Sequence, residues 1–183
     1  MIRAFFAIPV DDESFTDALK QWFAATLCDQ RASFVSPSRW HITVKFFDAI
    51  EPESLARLGS EARMLVETMP QLQLEVKKID SFPRADSPII AAIIKPNRLL
   101  RRLHMDLDKA AARLGYRPEL RRFRPHITLA KKHPAPWRCS AVLPYQNITL
   151  CATKLMLYES RRHTGVYVPL RTFSFKQAGE TDV

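Results

Sequence analysis

Hydrophobic and polar positions alternate along several short stretches of the chain, and longer stretches between them carry an apolar residue every three or four positions. Alternation is typical of β-strands, and the longer spacing is typical of amphipathic helices. The helical spacing predicts three helices, at residues 12–30, 52–69 and 97–114. The remaining apolar stretches predict seven or eight strands, at residues 2–9, 40–46, 71–79, 88–95, 126–132, 147–160 (one strand or two) and 166–175.

Each predicted helix begins at a residue that suits this position. Asp11 or Asp12 can cap the first helix, and Asn97 can cap the third, because their side chains accept hydrogen bonds from free backbone N–H groups. Pro52 suits the first turn of the second helix. Gly115 follows the third helix and suits its C-terminal cap. These signals agree with the periodicity and predict an α+β fold.

One four-residue pattern occurs twice, as His41-Ile42-Thr43-Val44 and as His126-Ile127-Thr128-Leu129. Each copy has the alternation of a strand, so its His and Thr point to one face and its aliphatic residues point to the other. A single copy would mean little, because Thr is common in strands. Two copies, 85 positions apart, predict two similar lobes that each present a histidine and a hydroxyl group to a shared cleft.

A pair of histidines with neighbouring hydroxyl groups suits acid–base chemistry on a phosphate diester. Histidine has an unperturbed pKa close to neutrality, so one ring can accept a proton while the other donates one. Threonine hydroxyl groups can donate hydrogen bonds to phosphate oxygens. The chemistry requires no metal ion or cofactor, so we expect neither.

The composition describes a soluble, basic protein. Hydrophobic residues make up 46% of the chain and charged residues 26%, and the formal net charge is +9. The surplus of positive charge favours a polyanionic partner such as nucleic acid. The length fits a single domain over residues 1–183. We expect a monomer without an obligate protein partner.

The three cysteines and the N-terminus indicate the compartment. Cys28, Cys139 and Cys151 have no Cys-x-x-Cys spacing, which argues against a zinc site and a disulfide framework. The short N-terminal apolar run lacks the n-region and h-region of a signal peptide, and no run is long enough to span a membrane. We therefore expect a cytoplasmic protein that does not bind membranes.

The order and spacing of several short motifs resemble the 2H phosphoesterase family with its HxTx motifs. Within that family, the chain resembles the bacterial and archaeal RNA 2′,3′-cyclic phosphodiesterases, also called 2′-5′ RNA ligases or LigT-like proteins. The resemblance covers nearly the whole chain. The motifs that carry it are Arg3–Ile8, Trp40–Phe47, Phe82-Pro83, Phe123–Ala130, Leu157–Arg161 and Tyr167–Leu170.

The resemblance implies a bilobal fold with pseudo-twofold symmetry, in which two antiparallel sheets with helices on the outside enclose a central cleft. It also implies a metal-independent hydrolase in RNA processing that converts a terminal 2′,3′-cyclic phosphate to a 2′-phosphomonoester. His126 would be the general base, His41 the general acid, and Thr43 and Thr128 the phosphate ligands. Some relatives also join RNA ends by a 2′-5′ bond. RNA with a cyclic phosphate end, such as a tRNA fragment, would be the partner.

Other residues near the motifs are candidates for substrate binding. The basic connector before the second motif contains Phe123 and Arg124, which could contact RNA. Family members often have Arg five residues after the second motif histidine, and this chain has Lys131 there. An unbroken strand would turn Lys131 away from His126, so its role requires a bulge or a strand end. Alternation also predicts Lys45 on the face of His41, as a phosphate ligand or as a solvated edge lysine.

Three alternatives remain from the residues alone. The enzyme could act on a small cyclic nucleotide or a 2′-5′ oligonucleotide. The chain could also be an RNA-binding module without catalysis, for which the basic connector would suffice. A metal-dependent hydrolase fits least, because the two motifs supply only two good metal ligands.

Overall fold

The structure is a computed structural model that describes residues 1–26, 32–131, 147–161 and 165–177. Its three helices are α1 (Glu13–Thr26), α2 (Pro52–Glu67) and α3 (Arg98–Arg113). A 3₁₀ turn covers Pro37–Arg39. The strands are β1 (Ile2–Pro9), β2 (Ser33–Phe34), β3 (His41–Ile50), β4 (Leu72–Ser81), β5 (Ile90–Ile94), β6 (His126–Lys131), β7 (Thr149–Ala152), β8 (Lys154–Arg161) and β9 (Val166–Ser174).

The three helices confirm the prediction made from periodicity, and the residues predicted for their N-termini are found there. The Phe15 amide donates to the Asp12 carboxylate at 2.9 Å, and this bond is the main reason why the pKa of Asp12 is lowered. The Leu100 amide donates to the Asn97 side chain at 2.9 Å. Stretch 147–160 forms two strands rather than one. The predicted end of the first helix near residue 30 lies outside the described residues.

The strands follow the order β7-β4-β5-β6-β3-β1-β8-β9, with β2 beside β6, and every pairing between them is antiparallel. The two motif strands, β3 and β6, lie at the centre and meet where Ile42 pairs with Ile127. The predicted pair of antiparallel sheets is therefore one curled sheet with two halves, joined at the motifs.

The two halves of the sheet have equivalent connections. In each half, a strand leads through a helix to a motif strand: β1-α1-β3 in one and β5-α3-β6 in the other. α1 and α3 begin at residues 13 and 98, and β3 and β6 begin at residues 41 and 126, a separation of 85 positions in both cases. This arrangement confirms the bilobal fold with pseudo-twofold symmetry.

The helices cover one face of the sheet. Alternate residues of β1, including Phe6 and Ile8, form one hydrophobic cluster with buried residues of all three helices. Because neighbouring strand residues point to opposite faces, Phe5 and Ala7 lie on the other face, which is the face of the motif histidines. No helix in the described ranges is long and apolar enough to cross a membrane.

Both motif strands contain a bulge at the last residue of the motif. Ala7 pairs with Thr43 and Phe6 with Lys45, so Val44 is an extra residue in β3. In β6, Leu129 is extra, because Ala91 pairs with Thr128 and Ile90 with Ala130. A bulge inserts one residue and reverses the side-chain alternation that follows it.

The bulge in β3 overturns the prediction for Lys45. Its side chain is 7% exposed and pairs with Asp108 of α3, on the helix side of the sheet. Phe46 is turned towards the motif face instead, where its ring lies 6.3 Å from that of Phe5. Strict alternation cannot reveal this reversal, because the bulge depends on the register with β1.

Candidate active site

The four motif side chains meet on one face of the sheet. With Ile42 paired to Ile127 in an antiparallel register, His41 lies opposite Thr128, and Thr43 lies opposite His126. The two histidines are then diagonal neighbours, a relation that places side-chain positions about 7–8 Å apart. All four side chains are half-buried. The sequence-predicted pairs therefore form one cluster around the pseudo-twofold axis.

Each motif histidine is anchored in the same way. Nδ1 of His41 donates to the carbonyl oxygen of Arg39 at 2.8 Å, and Nδ1 of His126 donates to that of Arg124 at 2.9 Å. A carbonyl oxygen can only accept, so Nδ1 carries the proton in the neutral ring. Nε2 is then the basic nitrogen of the neutral ring and an acidic N–H group in the charged ring.

The rings around the two histidines differ. The rings of Phe5 and Tyr167 lie 5.1 and 5.3 Å from that of His41, and the planes of the Tyr167 and His41 rings stand at 88° to each other. His126 instead stacks on the Phe82 ring at a centroid distance of 3.7 Å and an angle of 23°. Apolar rings hold both imidazoles in place and remove water from them.

Burial lowers the pKa of both histidines below its ordinary value of 6.5. The bonds to the two carbonyl groups act in the opposite direction and are outweighed. For His41, the positive charges of His126, Lys131 and Arg39 lower the pKa further. For His126, the charge of Arg124 does so. Burial and the neighbouring positive charges therefore shift both rings towards the neutral form.

Two of the other predicted site residues lie close to the histidines. The role predicted for Lys131 requires a bulge or a strand end, and the bulge at Leu129 provides it. The positive charge of Lys131 lowers the pKa of His41. Arg124 lies over the Phe82 ring at 4.9 Å and donates to the Pro83 carbonyl oxygen at 2.6 Å. Both cations therefore contribute positive potential to the cluster.

Phe123 is the predicted site residue that the structure does not bring to the histidine pair. Its ring stacks on that of His104 in α3, at 4.1 Å and 7°. His104 is one of the buried residues of α3. It is 8% exposed, and its Nδ1 donates to the carbonyl oxygen of Val44, the extra residue of the β3 bulge, at 2.7 Å.

Sequence reasoning missed Arg39 and Tyr167. The Arg39 guanidinium lies over the Tyr167 ring at 5.0 Å and donates to the Gly165 carbonyl oxygen at 2.6 Å. This arrangement repeats that of Arg124 with Phe82 and Pro83 in the other lobe. Arg39 and Arg124 each stand two residues before a motif histidine, so the repeated pattern is Arg-x-His-Ile-Thr. This longer repeat is the sequence signal that identifies Arg39 as a site residue.

The cluster has the groups for proton transfer at an anionic centre. It combines two imidazoles with lowered pKa, two hydroxyl donors and the fixed charges of Lys131, Arg39 and Arg124. Among the residues that the structure describes, no group of three or more His, Cys, Asp or Glu side chains is placed to hold a metal ion. These residues have the chemical groups that general acid–base catalysis with electrostatic stabilisation would require.

Comparison with known proteins finds similar sequences and folds. A family model described as the 2′-5′ RNA ligase superfamily matches residues 9–163. The chain is 28% identical over 131 residues to the RNA 2′,3′-cyclic phosphodiesterase of Archaeoglobus fulgidus. This match covers 71% of this chain and 72% of that protein. It is 26% identical over 99 residues to the protein of the same name from Aeropyrum pernix, and this match spans 53% of the chain and about half (55%) of that relative.

The fold is also similar to that of a protein whose crystal structure is known. Apo LigT of Escherichia coli matches with a TM-score of 0.77 and 25% sequence identity, over 96% of this chain and 98% of LigT. The similarity therefore covers both halves of the sheet and the cleft between them.

Proposed function

The chain belongs to the 2′-5′ RNA ligase superfamily, and from this premise we propose that it is an RNA 2′,3′-cyclic phosphodiesterase that produces a 2′-phosphomonoester. The observation that carries the proposal is the meeting of two His-x-Thr pairs on one face of the sheet, with each Nδ1 bonded to a carbonyl group. That arrangement offers two Nε2 atoms to one substrate group. The relatives named as RNA 2′,3′-cyclic phosphodiesterases support the same reaction.

In the proposed reaction, water attacks the phosphorus atom of the cyclic phosphate. Nε2 of neutral His126 accepts a proton from that water, and the bond between phosphorus and O3′ breaks. Nε2–H of charged His41 protonates O3′ as it leaves, and the phosphate remains on O2′. His126 then holds the extra proton and His41 lacks one, and exchange with solvent restores both.

The surroundings of both histidines suit proton transfer, and the division of roles between them follows the family resemblance. A lowered pKa keeps the His126 ring neutral, as a base must be. The positive neighbours of His41 make its imidazolium a stronger acid. In the proposed reaction, Thr43 and Thr128 donate hydrogen bonds to the non-bridging oxygens, and Lys131, Arg39 and Arg124 offset the charge that develops on them.

The same step can run with another nucleophile. If an RNA 5′-hydroxyl group takes the place of water, the identical displacement of O3′ forms a 2′-5′ bond. Ligation therefore requires no further catalytic group and would compete with hydrolysis according to the concentration of RNA ends.

The test is an assay with a short RNA that ends in a 2′,3′-cyclic phosphate, in the presence of a chelator, with 2′- and 3′-phosphate products resolved. We expect the 2′-phosphate product from the wild-type protein. His41→Ala and His126→Ala should each reduce kcat by about 10²–10⁴-fold, the usual contribution of a general acid or base. Circular dichroism would establish that both variants are folded.

Three results would contradict the proposal. One is an unchanged rate in either histidine variant. Another is a 3′-phosphate product, because it would identify O2′ as the leaving group. The third is loss of activity in the chelator with recovery on addition of a metal ion. RNA binding without turnover would instead favour a binding module.

A further inference from the structure

The carbonyl groups of the two bulge residues are bonded in different ways. In β6, the carbonyl oxygen of Leu129 accepts a hydrogen bond from the Val35 amide at 2.8 Å. In β3, the carbonyl oxygen of Val44 accepts one from Nδ1 of His104 at 2.7 Å. Both bulge residues are buried. A bulge interrupts the ladder, and a buried carbonyl group requires a partner. Each of these bonds therefore holds a bulge that directly follows a motif threonine.

The two bonds differ because the approaches to the motif histidines differ. In the first lobe, β2 runs beside β6, and Val35 follows β2 six residues before His41. The equivalent position, 85 residues further along the chain, is Leu120, six residues before His126. Leu120 is 94% exposed. Residues 116–125 are all described and contain no strand. A side chain of α3 therefore supplies the bond that a backbone amide supplies in the first lobe.

The His104 ring also connects the bulge of β3 with the connector that leads to His126. Its face stacks on the Phe123 ring at a centroid distance of 4.1 Å and an angle of 7°. Phe123 directly precedes Arg124, whose carbonyl oxygen accepts the bond from Nδ1 of His126 at 2.9 Å. One imidazole thus lies between the end of the first motif and the anchor of the second motif histidine.

The equivalent position in the first lobe carries an apolar residue. α1 and α3 are equivalent helices, and the residue of α1 at the equivalent position to His104 is Leu19, which is fully buried in the core. Leu19 requires no polar partner, and none is needed there because Val35 already bonds to Leu129. Burial of a polar ring costs free energy unless the ring is hydrogen-bonded. Core packing alone therefore does not account for a histidine in α3, and its two contacts do.

We propose that His104 is a positioning residue for both motifs. Its N–H group holds the Val44 carbonyl group and thereby the neighbouring Thr43 hydroxyl group. Its ring holds Phe123 and thereby the carbonyl group that anchors His126. His104 belongs to a helix on the opposite face of the sheet from the motif histidines, so it acts through these neighbours and not on the substrate. The inference rests on the proposed function, since that function gives the motif side chains their tasks.

Two substitutions remove the two contacts of His104 separately. Asparagine has an N–H group close to the position of Nδ1 and has no ring, so His104→Asn retains a donor for Val44 and loses the stack on Phe123. Phenylalanine retains the ring and has no donor, so His104→Phe does the reverse. Leu107→Ala is the matched control, because Leu107 is fully buried on the next turn of α3 and forms neither contact.

The first measurement is nitrogen NMR of the histidine rings in their neutral form, which distinguishes a proton on Nδ1 from one on Nε2 and needs no substrate. In the wild-type protein, His41, His104 and His126 should carry the proton on Nδ1. His104→Asn and Phe123→Ala should each lower the ratio of the two forms in His126 by about two- to tenfold, as loss of one net hydrogen bond predicts. The ratio in His41 should not change. His104→Phe and Leu107→Ala should leave both ratios as in the wild type.

The second measurement tests the contact with Val44 through turnover of a nucleoside 2′,3′-cyclic phosphate. His104→Phe should lower kcat/KM by about two- to tenfold, for the same loss of one hydrogen bond. In a Thr43→Ala background the same substitution should have a smaller effect, because the hydroxyl group that the bond positions is already absent. Leu107→Ala should change kcat/KM by the same factor in both backgrounds.

Three results would contradict the proposal. A neutral His104 ring with its proton on Nε2 in the wild-type protein would overturn it, and this result requires no variant. An unchanged ratio for His126 in folded His104→Asn and folded Phe123→Ala would also overturn it. Equal effects of His104→Phe with and without the Thr43 hydroxyl group would overturn the part that concerns the first motif.

The outcomes separate the positioning role from the proposed function. Turnover of cyclic-phosphate RNA with an unchanged His126 ratio in the variants would overturn the positioning role and leave the function standing. A changed ratio in a protein that hydrolyses no cyclic phosphate would support the positioning of the ring and overturn the function.

Discussion

At the scale of single residues, each motif histidine is defined by one hydrogen bond and its neighbouring rings. The bonds from Nδ1 to the carbonyl groups of Arg39 and Arg124 fix which nitrogen faces the substrate. The rings of Phe5, Tyr167 and Phe82 reduce contact with water. The histidines thus receive equivalent anchors from residues at equivalent positions, and their pKa is lowered for the same principal reason, which is burial.

These shifts predict the pH dependence of kcat/KM, which reports the free protein. A lowered pKa of the base moves the acidic limb to lower pH, and a lowered pKa of the acid moves the alkaline limb in the same direction. We therefore expect a bell-shaped profile centred below pH 6.5, the ordinary pKa of histidine. The kcat profile should lie at higher pH, because a bound anionic phosphate stabilises imidazolium. Initial rates across the pH range would measure both.

Lys131→Gln provides an internal control for this prediction. The charge of Lys131 lowers the pKa of His41 but is not among the causes of the shift at His126. Removal of that charge should move the alkaline limb of kcat/KM to higher pH and leave the acidic limb in place. A shift of the acidic limb alone would indicate that His41 is the base and His126 is the acid.

At the scale of secondary-structure elements, the two bulges and the helix α3 determine how the motif strands present their side chains. His104 satisfies the carbonyl group of Val44, and Asp108, one turn further along α3, pairs with Lys45. Asp108 also accepts from the Glu119 amide at 3.1 Å, at the start of the connector to His126. The helix α3 thus holds both the bulge of β3 and the start of the connector that leads to β6.

Asp108→Asn should therefore destabilise the protein far more than Asp106→Asn on the same helix. Lys45 is 7% exposed, and loss of its partner leaves a buried charge, which costs about 3–5 kcal/mol. Within the described part of the chain, Asp106 pairs with Arg102 and Lys109, which are 64% and 70% exposed, and such pairs contribute about 0–1 kcal/mol. Urea denaturation would measure both free energies of unfolding. Equal losses in the two variants would contradict the role of Asp108.

At the scale of the whole molecule, the symmetric fold carries an asymmetric site and a basic surface. The net charge is +9, and four arginines of the connector before His126 are exposed: Arg117, Arg121, Arg122 and Arg124. Arg121 is paired with Glu119 at 2.9 Å, and the bond between them is the first reason why the pKa of Glu119 is lowered to about 2. The charge of Arg121 is therefore partly offset within the protein itself.

This distribution predicts a strong salt dependence for RNA and a weak one for a mononucleotide. Each neutralised phosphate of a single strand contributes a slope of about 0.7 to the dependence of log affinity on log salt. We expect KM for an oligoribonucleotide with a cyclic phosphate end to rise steeply with salt, and KM for a nucleoside 2′,3′-cyclic phosphate to rise less. Arg122→Ala should reduce the slope for RNA more than Arg121→Ala does. Identical slopes for the two substrates would show that the connector does not bind RNA.

The elements and the motif pair were predictable from local patterns. Periodicity placed the three helices, Asp12 and Asn97 marked helix starts, and the alternation in His41–Val44 put His and Thr on one face. These features depend on residues within a few positions of each other, so the local sequence is sufficient to predict them. The repeat of the motif also implied two similar lobes.

The tertiary structure decided what depends on residues that are distant in the sequence. The bulge at Val44 arises from the register with β1 and turns Lys45 towards α3, although alternation predicts the opposite face. Phe123 joins His104 rather than the cleft, because the connector packs against α3. Tyr167 and Arg39 are 128 positions apart, and only the folded hairpin brings their side chains together beside His41. Sequence determined which groups the protein has for catalysis, and long-range packing decided which of them face the substrate.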